Sequence, residues 1–170
     1  MPSKVHKIII LGADGTGKTS IIEQAIYGNH VAGTKMVPTV EDTYTANIFT
    51  ERNCLEQLRL FDTAGLDCQT PVVPKHYYSF ADAYILVFDI TRNKSDLEHS
   101  SRQIEFDTVK NWAAREKVHF REVSVTNKKS LMDAFSFLVS KLLPQRSIKS
   151  RFKKDSAQAT FSVSGLATDV

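Results

Sequence analysis

Lys18 and Thr19 close an eight-residue run, Gly12-Ala13-Asp14-Gly15-Thr16-Gly17-Lys18-Thr19, that sets glycines, one ammonium and hydroxyls at fixed spacing. The run is G-x-x-x-x-G-K-T in full. It lies behind an apolar stretch ending at Leu11 and ahead of apolar residues at helical spacing. In that setting glycines let successive backbone N–H groups wrap a phosphate, and the first turn of the following helix adds partial positive charge. Gly12, Asp14, Gly15, Thr16 and Gly17 form the cradle, Lys18 reaches the β- and γ-phosphates, and Thr19 offers its hydroxyl to Mg²⁺. A glycine turn followed by a chance Lys-Thr is the alternative, and the strand-loop-helix context argues against it. Asp62-Thr63-Ala64-Gly65 is a second element. At a strand end Asp62 can hold the metal directly or through water, and Gly65 can offer its N–H to a γ-phosphate. D-x-x-G is a weak signal alone and becomes a strong one behind a complete phosphate loop.

These residues must be positioned by an alternating α/β chain. Residues 5–11 are β-branched and apolar, as in a parallel strand buried on both faces. Ile21, Ile22, Ala25 and Ile26 give a helix over 18–27, stopped at Gly28-Asn29. Residues 29–42, with Gly33 and Pro38, read as a loop. The stretches 43–50 and 55–61 alternate apolar and polar around Glu51-Arg52-Asn53, as a hairpin does. A mobile segment over 65–75 leads to a short helix near 76–81, and 83–90 is another buried strand. A helix over 106–117 presents Phe106, Val109, Trp112 and Ala113, a last strand covers 118–125, and a last helix over 128–143 aligns Leu131, Phe135, Leu138 and Leu142. The expected fold class is an α/β phosphate-loop NTPase, a mostly parallel sheet of five strands with helices on both faces. Residues 1–143 form one domain, and 144–170 read as a basic, Ser/Lys-rich, solvated tail.

Composition narrows the function classes. The 170 residues are 42% hydrophobic and 24% charged, ordinary for a globular domain. A net charge of +3 is too small for a nucleic-acid binder, which needs a concentrated basic stripe. Cys54 and Cys68 lack metal spacing and suit a reducing compartment. No run approaches the ~20 apolar residues of a membrane span, the first residues do not read as a signal peptide, and no lipidation motif is recognised. A cytoplasmic protein is the expectation. Arg146, Lys149, Arg151, Lys153 and Lys154 could meet anionic lipid or an acidic partner, against the simpler reading of a solvated tail.

The phosphate loop and Asp62-Thr63-Ala64-Gly65 together resemble the Ras superfamily of small GTPases. Within it, Glu23-Gln24, Tyr27-Gly28-Asn29-His30, the stretch 74–82 and the stretch 112–118 resemble the kappaB-Ras proteins. The resemblance covers residues 4 to about 143. It implies GTP/GDP and Mg²⁺ as ligands, with Thr39 as a further metal-directed hydroxyl in a first switch segment. Val37, Pro38, Val40, Glu41, Asp42 and Tyr44 belong to that segment and would meet partners. By resemblance those partners are NF-kappaB inhibitor proteins and other Ras-type effectors, bound by a monomer. Ser124 and Val125 match the last guanine-contacting loop, and His30 is the one aromatic candidate to stack on the base, against the simpler reading of an ordinary polar loop residue. Two positions depart from the family. Asp14 stands where hydrolytically competent members have glycine, and its side chain takes space needed by water and an arginine finger. Leu66 stands where a glutamine orients the attacking water. Weak hydrolysis is implied, since an arginine finger alone can be worth ~10³–10⁵ in rate; Gln69 as a substitute for the glutamine is the alternative.

The base-reading tetrapeptide Asn93-Lys94-Ser95-Asp96 has the family's chemistry in an unusual place. Asn93, Lys94 and Asp96 would recognise guanine, Asp96 by accepting two hydrogen bonds. A polar turn and an N-x-S sequon at Asn93-Lys94-Ser95 are the other readings, the latter idle in a cytoplasmic protein. Only two residues separate it from Ile90, where the family has roughly thirty, a helix and a strand. A parallel crossover cannot be made in that gap. The expected consequences are strand 118–125 pairing directly with 83–90 and an apolar sheet face stripped of its helix. The rival readings are a pseudo-GTPase scaffold or non-functional shortened form, and a phosphate-loop kinase, for which no Arg-rich lid is visible.

Overall fold

The computed structural model describes residues 5–31, 37–50, 54–67, 72–89 and 106–143, and the backbone of 157–163. In chain order the elements are β1 (Val5–Leu11), α1 (Lys18–Ile26), β2 (Glu41–Phe49), β3 (Leu55–Thr63), α2 (Tyr77–Phe80), β4 (Ala83–Asp89), α3 (Phe106–Arg115), β5 (His119–Val123), α4 (Lys128–Leu142) and β6 (Ala157–Val163). Five strands come from residues 5–123, as the sequence implies. The sheet nevertheless has six, in the order β2-β3-β1-β4-β6-β5.

β1 is the centre of the sheet because it is apolar on both faces. Ile8, Ile9 and Ile10 are fully buried, and each contributes about 1.5–3 kcal/mol from removal of its side chain from water. On one face Ile8, Ile10, Leu58, Leu60, Ala83, Ile85, Val87 and Val123 pack with Ile21 and Ile22 of α1 and with Leu131, Phe135 and Leu138 of α4. α4 starts where Asn127 accepts a hydrogen bond from the Ser130 N–H at 3.1 Å, an N-cap that satisfies one otherwise orphaned donor. The opposite face carries α2 and α3. There Phe61 meets Phe80 with ring centroids 5.1 Å apart, and Phe120 lies 5.5 Å from Phe106.

Two expectations are corrected here. β5 does not pair with β4; β6 lies between them, parallel to both, with Asp89 opposite Val163 and Val163 opposite Val123. The segment expected to be wholly solvated tail therefore supplies a strand over Ala157–Val163. The physical reason is the unpaired edges of β4 and β5. A strand edge is a row of unsatisfied N–H and C=O groups, and a passing segment of the same chain can pair with it. The expectation of bare apolar surface holds on the α3 face: Leu86 is 37% and Trp112 36% exposed. They border a cavity of about 470 Å³ with Leu66, Val87, Phe88 and Val109. Of the expected α3 face, only Val109 and Ala113 are buried.

Candidate functional site

The loop after β1 is shaped by its own contiguous residues. Gly15 and Gly17 hold φ at 66° and 87°, a region costly for residues with a side chain. Gly12 is constrained by space, since a Cβ there would lie 2.2 Å from the Val87 carbonyl oxygen. The Thr16 hydroxyl donates to the Ala13 carbonyl at 2.9 Å and draws the loop together. Lys18 arches back and donates from Nζ to the carbonyls of Gly12 at 3.1 Å and Ala13 at 3.0 Å. Burial lowers the Lys18 pKa, opposed by the charges of Asp62 and Asp14. A buried ammonium held over a glycine-rich loop is a site for an anion.

The strand register brings the remaining oxygens to this loop. β1 and β3 are parallel with Ile10 beside Asp62, while antiparallel β2 sets Asp42 opposite Asp62. Thr19 donates to Asp62 Oδ2 at 2.6 Å, and the Thr19 and Thr39 hydroxyl oxygens are 2.9 Å apart. Asp62 is fully buried, and its Oδ1 has no hydrogen-bond partner. Burial pushes its pKa up, while the Thr19 hydrogen bond and the Lys18 charge pull it down. An orphaned carboxylate oxygen beside two hydroxyls is an all-oxygen donor set that fits Mg²⁺, which shares its shell between protein, phosphate and water. Thr19, Thr39 and Asp62 could hold the ion. Among the described residues no cluster of three or more His, Cys, Asp or Glu is found, and phosphate or water could complete the shell. The space for it is a cavity of about 340 Å³ bordered by Asp14, Gly15, Lys18, Thr39 and Gly65.

Comparison with known proteins agrees with this geometry. A sequence model of the Ras family matches residues 7–96. The chain belongs to the Ras family. It is 37% identical to NF-kappa-B inhibitor-interacting Ras-like protein 1 of Homo sapiens, over 86% of this chain and 90% of the relative. It is 36% identical to protein 2 of the same name from Mus musculus, over 88% and 92%. The Drosophila melanogaster relative is 32% identical over 88% and 89%. The human comparison runs over 175 residues, whereas 86% of the 170 residues here is about 146. About 29 positions are therefore filled in the relative alone, the size of the unit expected to be absent before Asn93.

In this Ras-family chain the two departing residues border different cavities. Asp14 borders the phosphate cavity and packs against Gly65, where a Cβ would meet the Asp14 Cα at 2.5 Å. Leu66 is fixed by its N–H, which donates to the Gly12 carbonyl at 2.9 Å, and it borders the apolar cavity of the α3 face. Val37 and Val40 are each 85% exposed, whereas Tyr44 packs partly into the core. Burial, followed by the charge of Asp42, raises the Tyr44 hydroxyl to about 12. Pro38, Glu41 and Asp42 are exposed.

Of the base-directed residues, Ser124 and Val125 lie in the turn from β5 to α4, with the Ser124 and Thr126 hydroxyl oxygens 2.7 Å apart. Asn93, Lys94 and Asp96 lie outside the described residues, as does Gln69. His30 is turned toward α1. Its amide donates to Gln24 Oε1 at 3.0 Å, and its ring stands 3.7 Å from the Glu23 carboxylate. Two contributors were not picked out from sequence. Thr63 donates to the Ile10 carbonyl at 2.8 Å and pins the end of β3; its place inside Asp62–Gly65 was a usable signal. Tyr77 donates to Glu41 at 2.5 Å, joining the start of β2 to α2, and nothing in the local sequence announces that pair.

Proposed function

We propose that this chain is a Ras-like switch that binds GTP and GDP with Mg²⁺, hydrolyses GTP weakly, and acts by presenting residues 37–44 and 65–80 to partners. The observation that carries the reading is the convergence of Thr19, Thr39 and the orphaned Asp62 oxygen above a complete phosphate loop. Lys18 exchanges its carbonyl partners for phosphate oxygens, and the N–H groups of the loop complete the cradle. Asn93, Lys94 and Asp96, with Ser124 and Val125, are assigned to the guanine base. Names of the relatives support NF-kappaB inhibitor proteins as the partners here. The test is titration of purified protein with fluorescent GDP, GTP and ATP, with and without Mg²⁺. Guanine nucleotides binding at least tenfold tighter than ATP, with dependence on Mg²⁺, is the expected result. Equal affinity for ATP, or none for any nucleotide, overturns it.

Weak hydrolysis rests on Asp14 filling space beside Gly65 and on Leu66 lying at the other cavity. Asp14→Gly with Leu66→Gln should raise single-turnover GTP hydrolysis by about tenfold or more, a barrier change of about 1.4 kcal/mol. An unchanged rate removes these two residues as the cause. A nucleotide-independent scaffold is favoured by one observation: the Glu41–Tyr77 hydrogen bond joins both partner segments directly. Partner capture by Lys18→Ala separates the readings, because a scaffold keeps its partner when phosphate binding is lost.

A further inference from the structure

The sheet order poses a physical question. Among the described residues β5 has β6 as its only strand neighbour, and β6 comes from the stretch after α4 that sequence patterning reads as tail. Adjacent strands lie about 4.8 Å apart. With β6 in place, β5 stands three strand positions from β1, about 14 Å; without it, β5 would either lose all pairing or move one position inward. The loop Ser124–Val125 leaves β5 at the same sheet edge at which the phosphate loop leaves β1. Its distance from that loop is therefore set by β6.

We propose that Ala157–Val163 is a replacement strand, taken from the C-terminal region, that fills a parallel strand slot between β4 and β5 and fixes β5 and α3 to the sheet. The pairing is long: seven residues from Ala83–Asp89 pair with Ala157–Val163, and His119–Val123 pair with Ala159–Val163. Parallel pairing on both edges satisfies backbone groups that β4 and β5 would otherwise leave to solvent. The chain path is permitted. α4 shares its sheet face with α1, and the crossover from β5 through α4 to β6 runs toward the β2 edge, as the α1 crossover from β1 to β3 does. The two parallel crossovers thus have the same hand. α3 is held to β5 through Phe106 and Phe120, so the loss of β6 reaches α3 as well. That the Ser124–Val125 loop meets a base rests on the function proposed above; the strand assignment does not.

Hydrogen-exchange mass spectrometry on the full chain tests the assignment without using nucleotide. In the unaltered protein, 157–163 and 119–123 should both be protected and should lose protection together as denaturant rises. Thr160→Pro removes a ladder donor and obstructs pairing in the middle of an internal strand. It should speed exchange of 119–123 and 157–163 by about tenfold or more, while 5–11 and 55–63 keep their protection. Retention of β5 protection in Thr160→Pro overturns the proposal, as does unprotected 157–163 in the unaltered chain. If Thr160→Pro fails to fold, the unaltered chain decides: 119–123 and 157–163 opening at different denaturant concentrations overturns it. Protection of 157–163 that grows with protein concentration assigns the strand to a second copy and overturns the intrachain origin.

Discussion

Asp62 concentrates the chemistry of the site in one carboxyl group. Burial raises its pKa, so protonation is favoured more in the folded protein than in the unfolded chain. The corresponding stability is fully present at acid pH and is lost as pH rises through the raised value. A Mg²⁺ ion would need the carboxylate, so protons compete with it on acidification and metal affinity has the opposite trend. Mg²⁺-dependent affinity for labelled GDP should fall on acidification at higher pH than an ordinary aspartate would impose. In Asp62→Asn both the Mg²⁺ dependence and its pH dependence should disappear; a pH profile unchanged by Asp62→Asn would assign the titration elsewhere. Lys18 complements this logic. Its charge is disfavoured by burial, and an anionic phosphate would compensate it.

Between elements, the Tyr77–Glu41 hydrogen bond is the contact with most consequence. It ties the start of β2 to α2, two segments separated in sequence by the whole of β3. Burial first, then the hydrogen bond and charge of Glu41, raise the Tyr77 hydroxyl to about 12, so the phenol remains a donor at neutral pH. Tyr77→Phe keeps the ring contacts with Phe61 and Phe80 and removes only the donor. A loss of about 1 kcal/mol in stability is expected, read by chemical denaturation. Faster hydrogen exchange over 41–45 should accompany it, and unchanged exchange would show that the two segments are held together by something else.

Among the described residues the sheet has one well-covered face and one thinly covered face. α1 and α4 bury the first, while on the second Leu86 and Trp112 remain exposed beside a large apolar cavity. Exposed apolar surface of this kind favours association. Leu86→Lys should lower light scattering in concentrated solution with little change in unfolding midpoint, because the side chain already reaches solvent. A loss of stability like that of a core deletion, about 2–5 kcal/mol, would place Leu86 in the core instead. The sequence already pointed to this weak face, since a parallel crossover cannot fit between Ile90 and Asn93. It did not show how the sheet would respond.

The sequence by itself determined the phosphate loop, the Thr19 and Asp62 pair, the order of elements to residue 143 and the Ras-like class. These features are written in contiguous residues: glycines that permit positive φ, a lysine at a fixed offset, and apolar spacing at periods of 2 and 3.6. The Thr39 placement was legible through resemblance, because it depends on a loop returning to α1. Only the tertiary structure decided that Ala157–Val163 enters the sheet, that β5 pairs with it rather than with β4, and that Tyr77 meets Glu41. Strand pairing depends on which edges are left open far away in the chain, and a short segment such as Ala157–Val163 carries no local mark of that vacancy. Backbone satisfaction, a property of the assembled sheet, chose its place.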